Sequence, residues 1–213
     1  MPKDIPLPAE TRKAVFGLGC FWAPDGQYPG VHGVYRTVVG YAGGDMPNPT
    51  YQKIGDHTEV IQVEYDPSVI DYVTLLEKFF VFHDARLRIP KRQYISLILY
   101  NDENEKKMAE EAKSAQKQPA ATEIRQLDKF YAAEGYHQKY HLQHATDVLD
   151  AFGLSGSDMI GSCIAAKLSA FVMGYGTERE LEWLQQSYVM DERQTKLLKH
   201  LLEMGGRGAS CGL

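Results

Sequence analysis

Lys13-Ala14-Val15-Phe16-Gly17-Leu18-Gly19-Cys20-Phe21-Trp22-Ala23-Pro24-Asp25 is an apolar run that ends in glycines, then a cysteine, two large aromatic rings, and a proline followed by an acid. Residues 13–18 read as a short buried strand, because so brief an apolar run bounded by glycine is too short for an ordinary helix. Pro24 and Asp25 suit the first turn of a following helix, where proline's missing N–H is no loss. Cys20 then lies near a helix N-terminus, whose unpaired N–H groups favour thiolate over thiol. A cysteine outside a disulfide is most often an inert core residue. The glycine before Cys20 and the Phe21-Trp22 pair after it favour instead a nucleophile with an apolar pocket beside it.

Outward from this stretch, residues 34–40 form a plausible strand, followed by a Gly/Pro-rich loop at 43–49. Residues 58–65 alternate clearly: Glu59, Ile61, Val63 and Tyr65 share one face, and Val60, Gln62 and Glu64 the other. Glu59 thus points with the apolar side chains, unless the register slips by one residue and exposes Ile61 and Val63 together. Val69, Tyr72, Val73, Leu76, Phe79 and Phe80 recur at helical spacing. Residues 94–100 suit a buried strand, 104–118 a charged surface helix and 122–126 an edge strand. That alternation predicts an α/β two-layer sandwich (α+β), with helices over one face of a mixed or antiparallel sheet. Beyond His144, residues 146–152, 159–173, 178–188 and 191–203 all read as helices. The chain thus divides into a main unit, 12–145, and a helical extension, 146–213. The extension ends in a Gly-rich tail with too few apolar groups to fold on its own.

Composition bounds the function. The chain has 213 residues, 44% of them hydrophobic and 24% charged, with a formal net charge of −5; this fits one globular domain with an extension. Mild acidity and the lack of basic runs interleaved with aromatics argue against a nucleic-acid surface. No apolar stretch reaches membrane-spanning length, and residues 1–8 lack a signal peptide's apolar core. Cys20, Cys163 and Cys211 are odd in number and widely separated, against both a disulfide framework and a zinc site. The expectation is a soluble, cytoplasmic protein with reduced thiols and no metal.

Five ordered blocks carry a family resemblance: Gly19-Cys20-Phe21-Trp22; Val39-Gly40-Tyr41-Ala42-Gly43-Gly44; Pro47-Asn48-Pro49-Thr50-Tyr51; His57-Thr58-Glu59; and the segment from Phe130 to Tyr140. In order and spacing the chain resembles the peptide methionine sulfoxide reductase A family. The resemblance implies a ferredoxin-like core within 12–145, reduction of methionine S-sulfoxide, free or in proteins, and thioredoxin or another dithiol as electron donor, with no prosthetic cofactor. Three positions depart from the family pattern. Ala23 and Asp25 stand where glycine and glutamate are common, and Ile89 stands where an aspartate ordinarily precedes the tyrosine equivalent to Tyr94. The shortened run Ile89-Pro90-Lys91-Arg92-Gln93-Tyr94 is similar to a short-loop, animal-type subgroup.

Reducing a sulfoxide needs a soft nucleophile for sulfur, an acid for the departing oxygen and a dry pocket for the methyl group. Cys20 supplies the first. Glu59 is the candidate acid, because burial disfavours the carboxylate and raises its pKa. The resemblance places Tyr51 and Tyr94 on the same oxygen, with Phe21 and Trp22 holding the methyl. His57 reads as fixing the turn before the Glu59 strand, His83 as a satisfied core histidine, and the segment 136–141 as a packed helix rather than a metal site. Cys163 sits in an apolar helical pattern with Ile160, Ile164, Leu168 and Phe171, where burial keeps a thiol inert. Cys211 instead follows Met204 by seven residues of glycine-rich chain, a reach of up to roughly 25 Å, and is the candidate that resolves the sulfenic acid left on Cys20. Two other classes remain open at this stage: a non-catalytic module that binds oxidised methionine or a partner, and a thiol peroxidase.

Overall fold

The computed structural model describes residues 4–207. The main unit runs β1 (Arg12–Leu18), α1 (Pro24–Gln27), β2 (Val34–Ala42), β3 (Thr58–Tyr65), α2 (Tyr72–Phe82), β4 (Ser96–Tyr100), α3 (Glu103–Ser114), β5 (Glu123–Gln126), β6 (Phe130–Ala132) and the short α4 (Tyr140–Gln143). The result is a mixed α/β fold on a six-stranded sheet in the order β5-β4-β1-β3-β2-β6. Every pairing is antiparallel except the parallel β4–β5 pair.

Register sets which side chains meet. Phe16 pairs with Ile61 and with Ile98, and Val63 with Ala14, so these residues share a face that packs on Tyr72, Leu75, Leu76 and Phe79 of α2 and Ala109 of α3. Asp71 and Asp102 cap the two helices, accepting from the Thr74 and Glu105 amides at 2.7 and 2.9 Å, which satisfies N–H groups the helix cannot pair. The opposite face holds a smaller cluster of Val15, Ala42, Val60, Leu97 and Leu99 under Leu127 and Phe130.

Several local expectations are corrected. With Asp71 as the cap, Val69 precedes α2, and both Val69 and Val73 face solvent. Tyr94 closes a 3₁₀ turn (Arg92–Tyr94), and β4 begins at Ser96. The segment 136–141 is a 3₁₀ turn (Gly135–His137) and the start of α4, separated by Lys139 in the left-handed region at φ 51°. Asp25 enforces that break: its carboxylate accepts from the Lys139 amide at 2.7 Å and pairs with the Lys139 ammonium at 3.0 Å.

The extension forms α5 (Thr146–Phe152), α6 (Cys163–Met173), α7 (Glu178–Ser187) and α8 (Glu192–Met204). Phe152, Met159, Ile164, Leu168, Phe171, Leu184 and Leu198 belong to one buried cluster that also takes in Leu142 of α4. α6 is buried along its whole length and packs on α1 and β2. Approach is close enough that a Cβ on Gly26 would overlap the Met173 sulfur. The helix expected over 159–173 begins only at Cys163, because Ser162 caps it and Asp4 accepts from the Cys163 and Ile164 amides at 3.1 and 3.0 Å. Ile160 is left outside and exposed.

Candidate active site

The chain leaves β1 through Gly19, whose φ of 86° suits glycine. Cys20 follows, half-buried. Phe21 is buried against Tyr41 and the His137 ring, at centroid distances of 6.0 and 5.1 Å. Trp22 stacks on Tyr140 at 3.9 Å with the planes 8° apart, and its indole N–H donates to Nδ1 of His137 at 3.2 Å. An indole nitrogen only donates, so Nδ1 is the acceptor and the neutral ring carries its proton on Nε2. Burial, which lowers the His137 pKa, keeps it neutral. α1 starts at Pro24 with Ala23 as its N-cap, so Cys20 precedes the first turn of a short helix, as the sequence implies.

Glu59 is 2% exposed. It pairs across the sheet with Tyr41 and shares the face of Ile61, as the alternation requires. One carboxylate oxygen accepts from the Phe21 amide at 3.1 Å, the other from the Gln93 side-chain amide at 2.5 Å. Burial raises its pKa, and outweighs the opposing pull of Gln93, the Phe21 amide and Lys91. The Phe21 contact fixes the acid against the residue next to Cys20. The Tyr94 pKa is raised by burial, by Glu59 and by Tyr51. Cys20, Phe21, Trp22, Tyr51, Glu59 and Tyr94 all line one cleft of about 640 Å³. Leu18, Leu87 and Ile89 supply further apolar wall, so the side chain standing in the family's aspartate position contributes a hydrophobic surface. Among the sequence candidates, Cys211 lies outside the described residues. Cys163 is fully buried within the extension, with its thiol pushed up to about 12 by desolvation.

Sequence reasoning missed the residues that hold these groups. Gln93 binds the acid. Glu134 accepts from the Tyr41 hydroxyl at 2.8 Å and the Tyr51 amide at 3.0 Å, tying the loop that carries Tyr51 to the sheet. Asp25, 1% exposed, also accepts from Thr37 at 2.7 Å and so locks α1 to β2 and to the His137 segment. Its partner Lys139 is 114 residues away, a separation that no local pattern reveals. His57 is buried, accepts from the Gly44 amide at 3.1 Å and bonds the Met46 carbonyl at 2.7 Å, so it does fix the turn before β3. His83 bonds the Phe79 carbonyl and the Ser96 hydroxyl, both at 2.8 Å, although it is only half-buried and borders the cleft. No group of three or more His, Cys, Asp or Glu placed to hold a metal occurs among the described residues.

Comparison with known proteins identifies the family. The family model described as peptide methionine sulfoxide reductase matches residues 12–156. A peptide methionine sulfoxide reductase of Drosophila melanogaster is 40% identical over 205 residues, covering 93% of this chain and 83% of that protein. The MsrA of Azotobacter vinelandii is 40% identical over 65% of this chain and 72% of its own length. Among solved structures, methionine sulfoxide reductase A of Corynebacterium diphtheriae superposes with a TM-score of 0.56 at 29% identity, covering 66% of this chain and 77% of that one. Reduced Mxr1 of Saccharomyces cerevisiae gives 0.57 at 26% identity, over 75% and 92%. The chain belongs to the peptide methionine sulfoxide reductase family of oxidoreductases.

Proposed function

We propose that this protein reduces methionine S-sulfoxide, free or within polypeptides, with Cys20 as nucleophile and Glu59 as acid. The Cys20 thiolate attacks the sulfoxide sulfur while the Glu59 proton passes to the oxygen. The protonated oxygen then moves to the Cys20 sulfur as its bond to the methionine sulfur and the S–S bond formed by the attack both break, so methionine leaves with its sulfur reduced by two electrons and Cys20 is left oxidised as a sulfenic acid. Tyr51 and Tyr94 hold the oxygen, and Phe21 and Trp22 hold the methyl. The observation that carries the reading is the buried carboxyl of Glu59, pinned by Gln93 and the Phe21 amide in the cleft that Cys20 borders.

In the second half of the cycle, Cys211 attacks the sulfenic sulfur, water leaves, and thioredoxin or another dithiol reduces the resulting disulfide; no prosthetic group takes part. The burial of Cys163, which suppresses its thiolate, supports Cys211 as the resolving residue. A cytoplasmic setting goes with a dithiol supply, and no helix among the described residues is long and apolar enough to cross a membrane. The corresponding fold reading is a two-layer sandwich on a ferredoxin-like core, 12–145, carrying the extension 146–213. The central antiparallel order β4-β1-β3-β2 supports it.

The test is thiol-dependent loss of a methionine S-sulfoxide substrate measured beside loss of hydrogen peroxide, with intact protein and with Cys20→Ser. Sulfoxide reduction that vanishes in the variant is expected. Sulfoxide reduction retained by Cys20→Ser, or turnover of peroxide alone, overturns the assignment.

A further inference from the structure

Beside the cleft runs a broader groove of about 1230 Å³. Leu87, Ile89 and Ser96 line both cavities, so the groove and the cleft lie side by side across these residues. Its far side is the end of α3, the connection that follows it, and β5. Arg88, Lys113, Lys117 and Arg125 line it against two carboxylates, Glu110 and Glu123. Glu123 is already paired with Arg92 at 3.3 Å. Lys113 donates to the Thr122 carbonyl at 2.7 Å and Arg125 to the Gly43 carbonyl at 2.8 Å. Both contacts hold the cations in place without neutralising them. Arg88 and Lys117 have no ion pair among the described residues. A chain of net charge −5 therefore concentrates positive charge in one channel leading to its cleft.

Two further observations fit an extended polypeptide in that channel. β5 ends the sheet on this side, so its outer edge offers backbone donors and acceptors to an added chain. Leu87 and Ile89, 55% and 36% exposed, form an apolar rim between groove and cleft. A methionine side chain reaching Cys20 would leave its own backbone at that rim.

We propose that this groove seats the polypeptide flanking the oxidised methionine, in extended form, and that its charge favours acidic flanking residues. The proposal rests on the sulfoxide-reductase reading and assigns a substrate preference to it. Free methionine sulfoxide, which has no flanking chain, is indifferent to the groove.

The experiment compares kcat/KM for three short peptides, each with a central methionine S-sulfoxide and either aspartates, alanines or lysines on both sides, together with free methionine S-sulfoxide. Surface charge pairs of this kind steer and hold partners modestly, so the aspartate peptide is expected to exceed the lysine peptide by about 2- to 10-fold at low salt, with the difference collapsing at high salt. Arg88→Glu/Lys117→Glu should reverse that order and leave free methionine sulfoxide unchanged. Equal wild-type rates for the acidic and basic peptides at low salt overturn the proposal. So does a variant that alters the molecular mass in solution but not the peptide order, since the groove is then a contact between copies. If wild-type protein fails even on free methionine sulfoxide, the reductase reading itself has fallen.

Discussion

Glu59→Gln separates the acid from its scaffold. The carboxylate accepts from the Phe21 amide at 3.1 Å and from Gln93 at 2.5 Å. A glutamine can accept from Phe21 through its oxygen and donate its NH₂ to Gln93, once the Gln93 amide turns over to present its own oxygen. No buried polar atom is then stranded, so the fold should survive. Stability should even gain slightly near neutral pH. Burial raises the Glu59 pKa, so native protein holds this proton more tightly than unfolded chain, and wild-type stability declines as pH climbs from the ordinary glutamate value through the raised one. The variant lacks that decline. Activity should fall by about 100- to 10,000-fold, the usual contribution of a positioned acid, equivalent to roughly 3–5 kcal/mol of barrier. Single-turnover reduction of methionine S-sulfoxide by stopped flow, followed across pH, reads the chemical step without the recycling thiols. The wild-type rate should decrease as Glu59 ionises, and the variant should lose that limb. An unchanged rate, or an unchanged limb at the same pH, refutes Glu59 as the proton donor.

Tyr51→Phe and Tyr94→Phe should each slow reduction less than the double substitution does, because both side chains line the cleft and either hydroxyl can still hold the oxygen; silence of the double variant refutes the shared oxygen site. Cys211→Ser should stall thioredoxin-dependent cycling while sparing the first turnover, and Cys163→Ser should do neither; a Cys20–Cys163 disulfide mapped by mass spectrometry would reverse that assignment. Asp25→Asn leaves the fully buried Lys139 ammonium without its counter-charge, and should lower unfolding free energy in urea by about 3–5 kcal/mol. A loss under about 1 kcal/mol would mean that the Thr37 carbonyl alone suffices for Lys139.

What the sequence disclosed follows the range over which each signal acts. Alternation in β3 put Glu59 on the apolar face because a strand's two-residue period is local, and the strand forms over the expected residues. β6 escaped notice because three residues are too few to show a period. Val69 and Val73 misled because an apolar residue fits a helical count whether or not its face meets the core. The cleft walls from Phe21 and Trp22 were legible since they adjoin Cys20. Their supports were not: His137 is 115 residues from Trp22, and Gln93 is 34 from Glu59. Residues 136–141 carry a good helical pattern, yet a buried ion pair to Asp25 holds Lys139 in the left-handed region and divides it. Helix propensity is worth tenths of a kcal/mol per residue, and such a pair outweighs it.

The stacked indole of Trp22 also makes the cleft its own optical probe. The chain has two tryptophans, and the other, Trp183, lies in α7 under the Lys167 ammonium at 5.0 Å. Trp183→Phe leaves one fluorophore, clamped on Tyr140 and hydrogen-bonded to a histidine that burial keeps uncharged. An imidazole that stays neutral does not switch on the quenching that an imidazolium brings. Emission from Trp22 should then stay level as pH passes through neutrality, and change when a sulfoxide displaces water from the cleft or Cys20 takes up oxygen. Each half of the cycle thereby acquires a native signal that can be timed without labelled substrate.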